Sequence, residues 1–446
     1  MLDHRKRYGC FSPSPPIFCH KDRAFGRLFI EYFMQFLLLS FHLAAIADRN
    51  NARHAIMFFR VHMLPVGLRL ALFYVAIFAV VGIHLPFWPV WLKARGLSDS
   101  ELGLILGAGL WSRVVVNPIV AYMVDSSGRR TDLMGGLAIL SVVLCTLFAV
   151  IDGFWPLLML SAALWAAFAA LMPLGENLTL LTASTRRLEY GRIRLWGSLS
   201  FILVSMTGGV VLTYQPVALI LWILVASMVL TWGACLLLEE PPSASCARSD
   251  PKAFRRVMMD SRFWLFLLAT GMIHASHNIY YGFATLHWQG AGLSSSVIGL
   301  LWAEAVLAEV VLFAFSNALV TRLRPTGLLI LGGSAAAFRW MVLGSSTHLV
   351  VLGLVQILHA FTFGAVHLGA MHFMTRAVPP EASTRVQAFY GSVTMGMATG
   401  LAIMAAGPLY HALNARAFYI STGLAIVGGV TAVFLHHRWQ GERLGL

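Results

Sequence analysis

Gly96-Leu97-Ser98-Asp99-Ser100-Glu101-Leu102-Gly103 has an echo 196 residues later in Gly292-Leu293-Ser294-Ser295-Ser296-Val297-Ile298-Gly299. In both stretches Gly-Leu-Ser is followed by a second glycine seven positions after the first. Each copy lies between two long apolar segments, so each joins the first and second helix of a repeating unit. A weaker echo links Arg192 to Gly197-Ser198 with Arg385 to Gly391-Ser392, in the same order along the chain. One short match could arise by chance; two in order make a duplication the better reading. Parallel halves are one of the repeat designs of secondary transporters, with the substrate site near the bilayer midplane between them.

Composition agrees with that reading. The chain has 446 residues, of which 58% are hydrophobic and only 11% charged. Soluble domains are about a quarter charged, so this chain has too little polar surface for a water-soluble globule of its size. Soluble enzymes, nucleic-acid modules and secreted disulfide scaffolds are excluded on that ground. A membrane helix needs about 20 apolar residues, and the chain from Met63 onward accommodates twelve. The expected spans are 66–92, 101–124, 132–151, 156–182, 195–214, 216–238, 262–288, 296–320, 327–344, 348–375, 384–410 and 414–437. The expected fold is an all-α membrane protein of twelve transmembrane helices in two six-helix halves, 63–238 and 262–446, joined by a polar linker, 239–261. Residues 1–62 differ in character, with nine Lys/Arg and Pro13 to Pro16 in a Pro-Ser-Pro-Pro run. They read as a disordered extension or a segment upstream of the natural start.

The net charge of +13 is distributed by loop. Alternate loops, beginning with 125–131 and ending after 437, carry seventeen Lys/Arg, whereas the opposite set carries Lys93, Arg95 and Arg416. Cytoplasmic loops hold the basic excess, so both termini and the linker are expected in the cytoplasm of a bacterial inner membrane. Nucleic acid is not needed to explain the charge. The five cysteines form no CxxC pair and no Cys/His metal spacing, and no zinc-protease or phosphate-loop motif is present. No enzyme, metal or cofactor is therefore expected, and ATP hydrolysis by this chain is disfavoured.

The loop after the second expected helix reads Asp125-Ser-Ser-Gly128-Arg129-Arg130. It resembles the signature loop of the major facilitator superfamily, an acid followed by glycine and two basic residues. Within that superfamily, several strings are similar to the 3-phenylpropionic acid transporter family: Leu85-Pro-Phe87-Trp88 to Trp91-Leu92, Arg194-Leu-Trp-Gly-Ser198, His277 to Tyr280-Tyr281-Gly282-Phe283, Ala308-Glu309, and Gln356-Ile-Leu-His359 to His367-Leu368. The resemblance covers nearly all of the chain from Met63. It implies proton-coupled import of an aromatic monocarboxylate by a fold distantly similar to the lactose permease.

An ionisable side chain at a helix centre costs about 2.5–3.5 kcal/mol on insertion scales, so each one needs a reason. Arg113 and Glu309 occupy equivalent places in the two halves, again 196 residues apart. They are expected on opposite sides of one central cavity. Burial disfavours the charged form of a carboxyl, so Glu309 can serve as the proton carrier; the structural alternative is a fixed ion pair. His359 and His367, spaced with Phe363 on one helical face, can relay protons or simply hold helices together. Glu176 is a second proton site or a gate partner for Arg192 or Arg194. Arg113, with Asn117 one turn on, offers a bidentate fork to a substrate carboxylate or a static helix-to-helix pair. Arg339 is counted among substrate contacts, with a structural or coupling pair as the other reading. His277 and Tyr281, on a helix that Gly271 and Gly282 mark as discontinuous, and Phe87 and Trp88 are the expected aromatic contacts. Asp125, Gly128, Arg129 and Arg130 form the expected conformational loop. Gly103 with Gly107, and Gly396 with Gly400, read as close-packing surfaces between helices. Glu304 has no evident role.

The leading expectation is thus a proton-coupled symporter for a small aromatic carboxylate, a monomer in the lipid bilayer whose partners are its substrate and protons. The alternatives are a sugar or nucleoside symporter, or a drug exporter, of the same fold.

Overall fold

The computed structural model describes residues 64–127, 129–240 and 251–445, and the side chains of all of these except residues 121, 122, 125–127, 251 and 317. The expected extension over 1–62, Gly128 and the side chain of Asp125 lie outside the described residues. Helix α1, Val66–Ala94, follows Pro65 and ends at Gly96, whose φ of 83° no other residue type adopts as easily. Ser98 then starts α2, Asp99–Ser127. Its hydroxyl accepts from the Glu101 N–H at 3.3 Å while Glu101 Oε2 accepts from the Ser98 N–H at 2.8 Å, a reciprocal capping box. The echo uses the same chemistry. Gly292 has φ 89°, and Ser294 accepts from the Val297 N–H at 3.4 Å. The first glycine of each repeat stops one helix, and the serine starts the next.

The first half continues with α3, Arg130–Leu147; α4, Phe154–Ala169; α5, Leu171–Arg186, which runs on from α4; α6, Tyr190–Tyr214; and α7, Leu219–Leu236. A short amphipathic helix, α8, Pro251–Met259, lies in the linker. The second half opens with α9, Ser261–Ala275, and α10, Asn278–Gly290. The expected discontinuity is present, at Ser276-His277 between the two glycines. Next come α11, Ser295–Ala314, and α12, Ser316–Leu343, the latter interrupted by Arg324 (φ 59°, ψ 164°) and Pro325 where a loop was expected. Then α13, Leu349–Gln356, leads through a π-helical turn, Ala360–Ala365, into α14, Val366–Ala377. Finally α15, Ser383–Tyr390, passes through a second π segment, Gly391–Ala398, into α16, Thr399–Leu413, and α17, Ala417–Arg438, closes the bundle.

Ten stretches among the described residues are long and apolar enough to cross a bilayer, against twelve expected. The difference arises at two places. The α9–α10 break leaves pieces of 15 and 13 residues, each shorter than one crossing needs. The last stretch, Pro380–Arg438, is 59 residues and holds two full-length helical segments.

The second glycine of each repeat builds the contact between the halves. Helix α6 packs on α11, and α2 on α16. Gly299 lies against Gly209 and the Ser205 carbonyl, and Gly103 against Gly407 and the Ile403 carbonyl, with backbone filling the space a Cβ would need. Thr213 accepts from the Ser296 N–H at 3.0 Å beside the first crossing. Asp99 lies 3.6 Å from His411 and 2.5 Å from Lys93 beside the second. Gly107 meets Met404 and Gly400, and Gly396 meets Val114, as the small-residue spacing predicted. These crossings lie from the arginine-poor end of the bundle to about its middle. Beyond them, towards the arginine-rich end, Val115, Ile119 and Met123 of α2 are exposed.

At the arginine-rich end, Arg129 pairs with Asp132 at 2.6 Å and Arg130 with Glu240 at 3.5 Å, fastening the signature loop to the end of α7. The C-terminal segment, 439–445, folds back as well. Trp439 packs on Phe373, Glu442 pairs with Arg262, and the Leu444 N–H donates to the Ala377 carbonyl at 2.7 Å.

Candidate functional site

The second half carries a buried polar network centred on Arg339 of α12, which has no exposed surface. Its Nη2 donates to Gln356 Oε1 at 2.7 Å, and its Nη1 to His359 Nδ1 at 3.0 Å and Thr362 Oγ1 at 3.2 Å. The faces of Tyr280 and Trp340 cover the guanidinium at 4.6 and 4.8 Å. These are neutral acceptors and π faces that solvate the cation. Gln356 uses its other end fully, donating to Tyr280 OH at 2.8 Å and to the Leu301 carbonyl at 2.9 Å. One side chain thereby ties α13 to α10, α11 and α12.

The donor and acceptor inventory fixes the protons of this network. A guanidinium only donates, so His359 Nδ1 accepts, and the proton of the neutral ring is on Nε2. That nitrogen lies 3.8 Å from Glu309 Oε2. His277 Nδ1 faces the Ile273 carbonyl at 2.9 Å and must donate, so its Nε2 accepts from the Thr362 hydroxyl at 3.1 Å. Thr362 therefore accepts from Arg339 and donates to His277. Glu309 is the acid the network points to, with one imidazole N–H between it and a permanent charge. Room for it comes from Gly364, where a Cβ would come 3.2 Å from Glu309 Cγ.

Aromatic faces surround this cluster. Tyr281 is half-buried and stacks on His277 at 5.6 Å and on Trp302 at 6.2 Å. Phe363 lies parallel to His359 at 5.6 Å and to His367 at 6.4 Å. The π-helical turn does not disrupt the shared face predicted for these three residues. The break at Ser276-His277 is held by the Ser276 hydroxyl, which donates to the Ile273 carbonyl at 2.6 Å and accepts from Trp340 Nε1 at 2.9 Å.

The first half offers a different surface. Arg113 is half-buried on α2, and neither a hydrogen bond nor an acid reaches it among the described residues; its Nε is enclosed and unpartnered. Asn117 Oδ1, one turn away, and His84 Nε2 on α1 are likewise enclosed without partners. The His84 ring lies 3.9 Å from that of Trp165 and within electrostatic reach of Arg113. Arg113 adjoins Val114, which packs on Gly396 of the other half. Seven residues back, about 10 Å of helix rise, Leu106 lies against Gly282, the neighbour of Tyr281.

Glu176 on α5 lies 3.8 Å from Arg194, which stands over Phe78 at 4.2 Å. Arg192, the other partner considered, pairs instead with Glu189 at 2.6 Å on the surface. Arg194 also lies within electrostatic reach of Glu309 and His367 across the halves. Phe87 and Trp88, expected as substrate contacts, are fully buried in the first half, with Trp88 stacked on Trp91 at 4.7 Å and edge-on to Phe148. Arg339, also expected at the substrate, is enclosed by its network. The roles of Gln356 and Thr362 carried no signal in the sequence, because each depends on which residue of another helix faces it.

The chain matches the MFS_1 like family over residues 67–421. It is 34% identical over 366 residues to a probable 3-phenylpropionic acid transporter of Escherichia coli (strain K12), covering 80% of this chain and 94% of that one. Among solved structures it resembles the nucleoside transporter NupG with a TM-score of 0.73 at 14% identity, covering 84% of this chain and 99% of that one. A bacterial homolog of the lysosomal transporter Spinster, inward-facing and occupied, gives a TM-score of 0.65 at 14% identity over 84% of this chain and 97% of that one. The structural likenesses are likenesses of fold. With ten stretches among the described residues long and apolar enough to cross a bilayer, and a repeat whose glycines pack the halves together, the chain is a multi-pass membrane transporter and belongs to the MFS_1 like family.

Proposed function

We propose that this transporter carries a small aromatic monocarboxylate, of the 3-phenylpropionate type, into the cell with one or more protons. It would do so by alternating access between its two halves in a bacterial inner membrane, with the arginine-rich end and both termini in the cytoplasm. The observation that carries the reading is the contrast between the two intramembrane arginines. Both terminal nitrogens of Arg339 donate to neutral partners, whereas Arg113 is a half-buried cation that neither a hydrogen bond nor an acid reaches among the described residues; the Nε of each is enclosed. A guanidinium in low dielectric without a countercharge is a strong site for a bidentate carboxylate.

In this reading Arg113 and Asn117 take the carboxylate, and Tyr281 and Phe363 face the ring, with Trp302 packed behind Tyr281. Glu309 holds the transported proton, with His359 Nε2–H as the donor that stabilises its ionised form and Arg339 as the fixed charge behind it. His367 and the Glu176–Arg194 pair respond to Glu309 from the cytoplasmic side. Phe87, Trp88 and His277 position these groups from behind, and the loop of Asp125, Gly128, Arg129 and Arg130 tethers the cytoplasmic ends. The glycine crossings close the outer end, so the conformation described is the one open towards the cytoplasm.

Competition in proteoliposomes tests the substrate class. Uptake of labelled 3-phenylpropionate should be inhibited by other aryl-alkanoates and not by the alcohol 3-phenylpropanol, lactose or uridine. Equal inhibition by the neutral alcohol would remove the carboxylate from recognition, and saturable uptake of uridine without phenylpropionate uptake would sink the reading.

A further inference from the structure

Helix α11 carries a second acid outside the network described. Glu304 lies nine residues into the helix, about 14 Å from its start and close to the middle of a hydrocarbon core about 30 Å thick. Its carboxyl has no hydrogen bond or ion pair among the described residues. It faces Gly353 of α13, where an added Cβ would stand 3.7 Å from Oε2. His359 and Arg339 engage Glu309 and Gln356 instead, so Glu304 is a membrane-embedded acid with nothing assigned to it.

Glu304 lines one end of a groove of about 510 Å³ between α11 and the π-helical turn Ala360–Ala365. Every other lining residue is apolar, including Leu307, Val311, Phe315, Ala360 and Phe361. Two alanines, Ala308 and Ala360, are among its lining residues. Its rim is exposed and apolar, with Leu307 and Val311 at 51% and Phe315 at 67%. In a bilayer such a rim faces lipid. The floor supplies no positive charge for the carboxylate.

Three features define the occupant. A carboxyl in low dielectric ionises only with a cation beside it, so a cation is the charged species it can hold. Apolar walls with two phenyl rings demand a large, partly aromatic body rather than a hydrated ion. The lipid-facing opening demands a species that partitions into the bilayer. We propose that this groove is a lateral binding site for a lipophilic aromatic monocation, held by Glu304 and reached from the membrane. It is separate from the central anion site, and its charge preference is the opposite of that site's.

Binding of radiolabelled tetraphenylphosphonium to the full chain in lipid nanodiscs tests this. Saturable binding is expected in the wild type. Glu304→Gln should weaken it about tenfold or more, the scale of losing one paired charge. Ala308→Phe, which fills the groove and leaves Glu304 in place, should weaken it as well, with a thermal melt of each variant as the folding control. Glu309→Gln separates the two sites, since loss of binding there rather than at Glu304 would move the cation to the central cavity and overturn the proposal. Absence of saturable binding in the wild type, or unchanged binding in both Glu304→Gln and Ala308→Phe, would overturn it too. Should Glu304→Gln fail to fold, Ala308→Phe decides the question.

Discussion

Replacing Gly103 or Gly299 by alanine should push the transporter out of the conformation described here. At Gly103 a Cβ would come 2.9 Å from both Gly407 N and the Ile403 carbonyl, where ordinary contact begins near 3.4 Å. The shortfall is about 0.5 Å, and the obstructing atoms are backbone, so no side chain can move aside. At Gly299 the Cβ would press on the Ser205 carbonyl more closely still, and would come 3.2 Å from Gly209 Cα. Overpacking of this kind costs about 1–3 kcal/mol. Both contacts are made between halves, so the cost falls on the state with the arginine-poor end closed, and not on the opposite state. A differential of that size moves a two-state equilibrium roughly 5- to 150-fold. Thiol labelling of a cysteine placed at Ile403, which is 3% exposed beside the Gly103 crossing, in protein that keeps the buried Cys145 and Cys235 and has Cys10, Cys19 and Cys246 replaced by serine, reads the opening. Labelling should accelerate in Gly103→Ala and Gly299→Ala and further in the double variant. Gly136→Ala, where nothing lies within 4 Å of the added atom, should change nothing. Equal labelling in all variants would show that the two crossings do not control access.

Gln356→Leu removes three hydrogen bonds, one of them to a buried guanidinium, and strands Tyr280 OH and Arg339 Nη2. A loss of about 3–5 kcal/mol is expected, read as a large fall in Tm, whereas Gln387→Leu on the surface should stay near wild type. Arg113→Gln should raise KM for 3-phenylpropionate strongly with little change in Tm, and Arg113→Lys should recover only part of the affinity because the bidentate fork is lost; an unchanged KM would place the carboxylate elsewhere. At the arginine-rich end, the Arg262 guanidinium beside Asp260 holds that carboxyl below its usual range. Backbone N–H groups of Glu442 and Gln440, with Arg262, do the same for Glu442. Carboxyls held low contribute stability that is complete above their unfolded values near roughly 4 and is lost as pH falls through the folded ones. Tm should therefore drop below about pH 4, and this part of the drop should shrink in Arg262→Gln.

Much of the architecture was legible because it is written locally. Gly96 and Gly292 end helices through positive φ, Ser98 and Ser294 cap the next ones, and apolar length marks the membrane. The small-residue spacings at Gly103, Gly107, Gly396 and Gly400 also read correctly, since close approach leaves its mark on composition. The π turns at Ala360–Ala365 and Gly391–Ala398 were not legible, because an extra residue in a helical turn alters no period that a short window can measure. The identities of the midplane charges were visible, but their partners were not. Arg339 and Arg113 look alike in sequence, and only the three-dimensional placement of Gln356, His359 and Thr362 shows that both terminal nitrogens of one are hydrogen-bonded while those of the other meet no partner among the described residues. Phe87 and Trp88 misled for a related reason: an aromatic run at a helix end serves a core as readily as a substrate, and Trp91 and Phe148 claim it here.

The central claim is that Glu309 couples proton movement to substrate movement. Proteoliposomes containing wild type or Glu309→Gln allow two assays of labelled 3-phenylpropionate, namely exchange at equal pH and uptake under an imposed proton gradient, each corrected for protein-free vesicles. Wild type should perform both, and Glu309→Gln should keep exchange while losing gradient-driven uptake. Gradient-driven uptake at the wild-type rate in Glu309→Gln would contradict the account.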